Sequence, residues 1–131
     1  MKKLTILLVI IFTFLFSTTS WGEWSYVTET LNGNKFYYDK DRVRKSGKYL
    51  FFWYLTDFVK PVGGEFLSVT RYTQLDCSVF RFKNLKLQVY KNSMGEDEIK
   101  SEGREHGEWK YPKPDTLFEN LYNILHDYIL L

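Results

Sequence analysis

The chain has 131 residues, with 18 basic against 16 acidic side chains, and aromatics make up 19% of it. This length fits one domain of ~100–150 residues, and a content of only 3 Pro and 8 Gly excludes a disordered linker or a collagen-like repeat. A dedicated nucleic-acid binder would need a larger basic excess, and a single Cys excludes any intrachain disulfide.

Met1-Lys2-Lys3 is a short basic start. Leu4 to Phe16 is apolar apart from Thr5 and Thr13, and a small, polar stretch ends in Ser20-Trp21-Gly22. This three-part pattern predicts a secretory signal peptide over residues 1–22. Ser20 and Gly22 suit the small-residue pockets of a signal peptidase, so cleavage is expected after Gly22. The apolar run is shorter than the ~20 residues a bilayer span needs. Lipid anchoring would require a Cys at the new N-terminus, and the only Cys is Cys77. The expectation is an exported product, periplasmic or extracellular, with no lipid anchor and no membrane span after cleavage. Loss of Lys2 and Lys3 leaves residues 23–131 formally neutral.

Residues 23–30 are rich in strand formers, and Leu31-Asn32-Gly33-Asn34 follows. Asn-Gly adopts positive φ readily, so this sequence predicts a tight hairpin with Lys35–Asp39 as the return strand. Lys40–Lys45 reads as a short helical turn and then a loop. Lys48–Phe58 is apolar on both parities. Tyr49, Phe51, Trp53 and Leu55 share one face, and Leu50, Phe52, Tyr54 and Phe58 the other. Such a strand is central and needs cover on both sides. Residues 60–64, Lys-Pro-Val-Gly-Gly, are expected to break it.

From Glu65 to Cys77 the pattern alternates, so Cys77 is expected to point into the core with Leu67, Val69 and Leu75. In the next segment Phe80 and Phe82 share a parity, opposite Arg81 and Lys83. The parity switches from Leu85 to Leu87 and Val89. A β-bulge near Asn84 would produce that switch. Ile99–Tyr111 reads as a weak strand anchored by Trp109 and Tyr111. Asp115 is a natural N-cap. Leu117, Phe118, Leu121, Ile124, Leu125, Tyr128 and Ile129 then recur at helical spacing. The predicted fold is α+β: about six antiparallel strands in meander order, with one C-terminal helix packed on one face.

Catalytic signatures are missing. The chain has no GxSxG, no P-loop, no GxGxxG and no HExxH. Cys77 with His106 or His126 could form a thiol–imidazole pair, but a strand Cys on an apolar face is ordinarily a buried packing residue. Glu105-His106-Gly107-Glu108 lacks the further ligands a metal site needs. The reading is therefore no enzyme, no cofactor and no metal. Basic residues do cluster: Arg42 and Arg44 (with Lys45 and Lys48) after the first hairpin, and Arg81, Lys83 and Lys86 on the fifth strand. These are candidate contacts for an acidic surface or a sulfated glycan. An ordinary mixed-charge surface is the alternative, because Asp39, Asp41, Glu65 and Asp76 lie close by in sequence.

Several segments occur in a familiar order. Glu23-Trp24 follows the signal peptide, and Phe36-Tyr37-Tyr38-Asp39 follows a Gly-containing turn. Val43–Lys48 is a short basic segment before Phe52-Trp53-Tyr54-Leu55-Thr56-Asp57-Phe58. Leu75-Asp76-Cys77 precedes Arg81 and Phe82, then come Met94-Gly95, Trp109 and a helix after a Pro. Over about residues 23–126 this order resembles the surface-adhesin protein E family of Gram-negative bacteria. The resemblance implies an antiparallel sheet with a C-terminal helix on its concave side. It implies a non-enzymatic, host-facing adhesin for extracellular-matrix proteins that can form a homodimer. Two departures stand out. The family's best-known member is a lipoprotein, and members commonly bridge the Cys of the Asp-Cys strand to a Cys near the helix end. Here that second position falls at about His126. Loss of such a bridge costs ~2–5 kcal/mol in a small exported domain, so packing by Leu121, Leu125 and their neighbours must make up the deficit. The functional expectation is an exported binding module. The alternative is a soluble periplasmic structural or protein-interaction protein.

Overall fold

The computed structural model describes residues 24–102, 107–114 and 116–129. The predicted signal peptide, His106 and Asp115 lie outside the described residues, and so does the side chain of His126.

Strand β1 (Trp24–Glu29) pairs antiparallel with β2 (Lys35–Asp39). The predicted Asn-Gly turn joins them. Gly33 sits at φ 89°, where its missing Cβ avoids strain. The turn closes through Thr30 N–H to the Asn34 carbonyl at 2.8 Å and Gly33 N–H to the Thr30 carbonyl at 2.9 Å. A 3₁₀ turn over Lys40–Arg42 follows, as the charged segment predicted. The expected loop after it instead contains a short strand, β3 (Arg44–Ser46), which folds back on β4 (Tyr49–Val62). β2 pairs with residues 54–57 of β4 and β3 with residues 49–51. The two therefore run end to end along one edge of the central strand. Sequence reasoning missed β3 because its three exposed, polar residues carry no hydrophobic pattern.

β4 also runs further than expected. It continues through Pro61 to Val62, with an irregularity after Asp57, and the turn falls at residues 63–65. Pro is tolerated there because the ladder is already interrupted. β5 (Phe66–Asp76) lies on the other side of β4, then β6 (Arg81–Tyr90) and β7 (Glu98–Glu102). The sheet order is β1-β2-β4-β5-β6-β7, all antiparallel, with β3 beside β4. The predicted meander is thus observed. So is the bulge: Tyr72 pairs with Lys86 but Thr73 with Asn84, which leaves Leu85 as the extra residue. The bulge keeps Phe82 and Asn84, then Leu87 and Val89, on one side of the sheet.

Helix α1 (Leu117–Ile129) crosses that side. Phe118, Leu121 and Leu125 pack on Tyr38, Leu50, Phe52, Tyr54, Leu75 and Phe82 to form the main core. Phe118 stacks on Phe82 with centroids 3.5 Å apart and meets Tyr54 edge-on at 5.5 Å. The helix begins where the Thr116 carbonyl accepts from Asn120 N–H at 3.3 Å. On its second face the β4 strand is covered only in part, by local segments. The turn at Met94-Gly95 seals one end. Gly95 N–H donates to Ser68 Oγ at 3.0 Å, Met94 N–H donates to Asp57 Oδ1 at 3.2 Å, and Gly95 backs onto Leu55. The predicted weak strand is split. β7 ends at Glu102, and the chain rejoins the β6 edge only at Lys110, opposite Phe82. That rejoining brings Trp109 onto the second face.

Candidate functional site

Residues paired directly across an antiparallel ladder project from the same face. The register therefore places Tyr49, Phe51 and Trp53 of β4 with Tyr72 of β5 and Arg81, Lys83 and Lys86 of β6, all on the face away from the helix. Arg44 joins them opposite Phe51. The rings form a connected row. Trp109 stacks on Tyr49 at 6.0 Å, Tyr49 meets Phe51 at 6.5 Å, Phe51 stacks on Tyr72 at 6.1 Å, and Tyr72 meets Trp53 at 5.1 Å. All five rings are half-buried.

Cations lie over four of the five rings of this row. The Arg81 guanidinium is 4.2 Å and the Lys83 ammonium 4.5 Å from the Trp109 ring centre. Lys48 lies 5.3 Å from Tyr49, Lys86 5.7 Å from Tyr72 and Arg42 5.8 Å from Trp53. A cation over a ring face is attracted to the ring quadrupole, by about 0.5–1 kcal/mol at exposed sites. Each contact also limits where a flexible side chain can go. The row therefore holds a set of positive charges in fixed places along the sheet.

Of the four carboxylates expected to mix with these charges, Asp41 and Glu65 are exposed, but the two that pair with the arginines do not reach the surface. Asp39 and Asp76 are both 0% exposed. Asp39 sits under Arg42, pairing with its Nε and accepting from Asp41 N–H at 3.1 Å. Asp76 accepts from Ser78 N–H at 3.0 Å, from Ser78 Oγ at 2.6 Å and from Arg81 Nε at 3.1 Å, with Lys48 Nζ at 3.9 Å. Burial alone would raise the Asp76 pKa. The bonds from Ser78 and Arg81, with Lys48 nearby, outweigh it and hold the carboxyl below its ordinary value. The acids thus work from beneath the sheet surface, while Arg42 and Arg81 present their outer groups at 56% and 26% exposure.

All five predicted contact residues, Arg42, Arg44, Arg81, Lys83 and Lys86, are therefore gathered on or at the edge of one face, although two separate sequence clusters supply them. The aromatic row as a platform was missed. Its β4 parity was legible, but Tyr72 and Trp109 join it only through strand pairing. The burial of the two acids was missed as well, because nothing local marks an Asp as buried, whereas Lys48 belongs to the first basic cluster already noted.

Cys77 differs from expectation. It is half-buried, packed at the margin of the core rather than inside it. A small cavity of about 280 Å³ beside it is lined by Lys45, Lys48, Tyr49, Leu50 and Ser78. Burial, then the Asp76 charge, pushes the thiol pKa up. The thiol stays protonated at neutral pH and is a poor nucleophile. A larger cavity of about 600 Å³ lies on the helix side, between Tyr54, Arg71, Asn84, Glu108, Lys110 and Phe118. Among the described residues, no group of three or more His, Cys, Asp and Glu is arranged to hold a metal ion. Among them, too, no helix is long and apolar enough to cross a membrane.

A meander sheet with one helix on its back and a ring-and-cation row on its front defines a small α+β protein. The family model for surface-adhesin protein E matches residues 24–125, and the chain belongs to that family. Solved structures of Haemophilus influenzae protein E share the fold. One is 16% identical with a TM-score of 0.62, covering 86% of this chain and 89% of that chain. A second crystal form is also 16% identical with a TM-score of 0.62, covering 85% and 93%. Protein E from a non-typeable strain is 15% identical with a TM-score of 0.59, covering 86% and 83%. No curated protein sequence matches this chain significantly. Family membership supports an adhesin-like binding role.

Proposed function

We propose that this chain is an exported, non-enzymatic binding module that resembles an adhesin for host extracellular-matrix proteins. Arg42, Arg44, Arg81, Lys83 and Lys86 are its contact residues. The observation that carries this reading is the gathering of Arg42, Arg81, Lys83 and Lys86 over one aromatic row, with Arg44 opposite Phe51 and with the carboxylate partners of Arg42 and Arg81 buried beneath them. Electrostatic complementarity of this kind speeds encounter and fixes orientation. The signal-like residues 1–22 support export, and the adhesin family supports the binding role.

A panel of immobilised matrix proteins tests it. The exported chain is expected to bind at least one of them in a salt-sensitive way, and the double variant Lys83→Glu/Lys86→Glu is expected to lose that binding. Absence of binding to the whole panel would overturn the host-matrix assignment. One observation favours a second reading, a soluble periplasmic interaction protein: the only Cys is Cys77, in the turn after β5, so lipid anchoring after Gly22 has no acceptor. Cell fractionation with protease shaving of intact cells separates the two. Surface or secreted protein supports the adhesin reading, and confinement to the periplasm supports the second.

A further inference from the structure

We infer that the ring-and-cation face takes a sulfated glycan chain as its partner. This rests on the reading of that face as the contact surface and names the chemistry it recognises.

The first argument is shape. The face is an open sheet, and the row runs across three neighbouring structures: β4, β5 and the segment at Trp109. A small molecule would bury little of itself there, since small ligands prefer concave sites. The two larger cavities lie elsewhere, under the helix and beside the first hairpin at Asn34 and Val59, and only the small one at Cys77 touches the end of the row, at Lys48 and Tyr49. An extended chain suits an extended row.

The second argument is charge placement. Arg42, Arg81, Lys83 and Lys86 each lie over a ring rather than in a pool of mixed charges. Arg42 and Arg81 are also tethered from below by Asp39 and Asp76. Neither Lys83 nor Lys86 has a carboxylate partner among the described residues, so their charges are available to a ligand. Pre-positioned cations lose less entropy on binding. Such an array fits anions repeated along a chain at intervals. Guanidinium groups add paired hydrogen bonds to sulfate or carboxylate oxygens.

The third argument is what lies between the charges. Half-buried ring edges separate successive cations, and a polymer lying on them must offer apolar surface between its anions. A pyranose ring does so through its C–H face, with sulfates projecting from its rim. Nucleic acid would stack its bases on ring faces, and here cations lie over those faces.

The test is affinity chromatography and titration with heparin, using hyaluronan, single-stranded DNA and immobilised matrix proteins as comparison probes. Heparin is expected to bind and hyaluronan, which lacks sulfate, to bind at least about tenfold more weakly. Lys83→Gln and Lys86→Gln should each lower the slope of log affinity against log salt by about one, the signature of one released counterion. Both side chains point outward, so folding should survive, and a circular dichroism melt checks this. Heparin binding that is indifferent to both substitutions would overturn the inference. So would equal affinity for hyaluronan or for single-stranded DNA. Matrix-protein binding through the same lysines without heparin binding would overturn the glycan assignment and leave the adhesin reading intact. Failure of every probe would overturn both.

Discussion

Replacing Asp76 by Asn isolates the charge that holds Arg81 beneath the ring row. Asp76 is 0% exposed and accepts two bonds from Ser78 and one from Arg81. Asn keeps the shape but loses the charge and turns one acceptor into a donor. A hydrogen bond to a charged group is worth about 1.5–3 kcal/mol. Breaking a fully buried ion pair costs about 3–5 kcal/mol, but Arg81 is 26% exposed, so the lower range applies. Asp76→Asn should therefore cost about 2–3 kcal/mol at pH 7. Urea unfolding followed by circular dichroism would read this as a lower midpoint at an unchanged slope. The sign with pH follows from the depressed carboxyl. Its stabilisation is fully present above the unfolded-state pKa of about 3.9 and is lost as pH falls through the lower folded-state value. The gap between wild type and variant should stay constant above about pH 5 and close below about pH 4. Other carboxylates are common to both proteins and cancel in the difference. A gap that persists unchanged to pH 3, or is absent at pH 7, would refute the role given to Asp76.

Two further substitutions probe how the rest is held together. Leu121 is fully buried between helix and sheet, so Leu121→Ala should cost about 2–5 kcal/mol and lower the melting temperature by roughly 10–20 °C. The exposed Asn123→Ala should stay within about 0.5 kcal/mol, and similar melts for both would refute helix docking by packing. At Gly107 an added Cβ would fall 2.4 Å from the Asn84 carbonyl oxygen, on backbone at the bulge. Gly107→Ala should cost about 1–3 kcal/mol in the same denaturation assay, whereas Gly63→Ala, with open space around it but φ at 60°, reports backbone strain alone.

Much of the fold was legible because its causes are local. Asn32-Gly33 specifies its own turn, and the parity switch at Leu85 announced the bulge. The stripe from Leu117 to Leu125 required a helix with one apolar face. Where the causes were not local, the reading fell short. β3 has no apolar alternation and exists because β4 offers it an unpaired edge. Pro61 looked like a stop, yet the ladder was already interrupted there. Cys77 has core parity, but its strand ends at Asp76 and Cys77 falls in the turn beyond it, at the rim of the core.

The sequence by itself determined the strands other than β3, the helix, the basic residues and the two apolar faces of β4, since each depends on side-chain type and period along the chain. Only the tertiary structure decided that Arg42, Arg81, Lys83 and Lys86 meet on one face. It alone put Tyr72 and Trp109 in line with β4, and it alone buried Asp39 and Asp76 beneath their cations. Those outcomes depend on which residues stand opposite each other across neighbouring strands. Register is set by the turns, the bulge and the packing of the whole sheet, and no single segment encodes it.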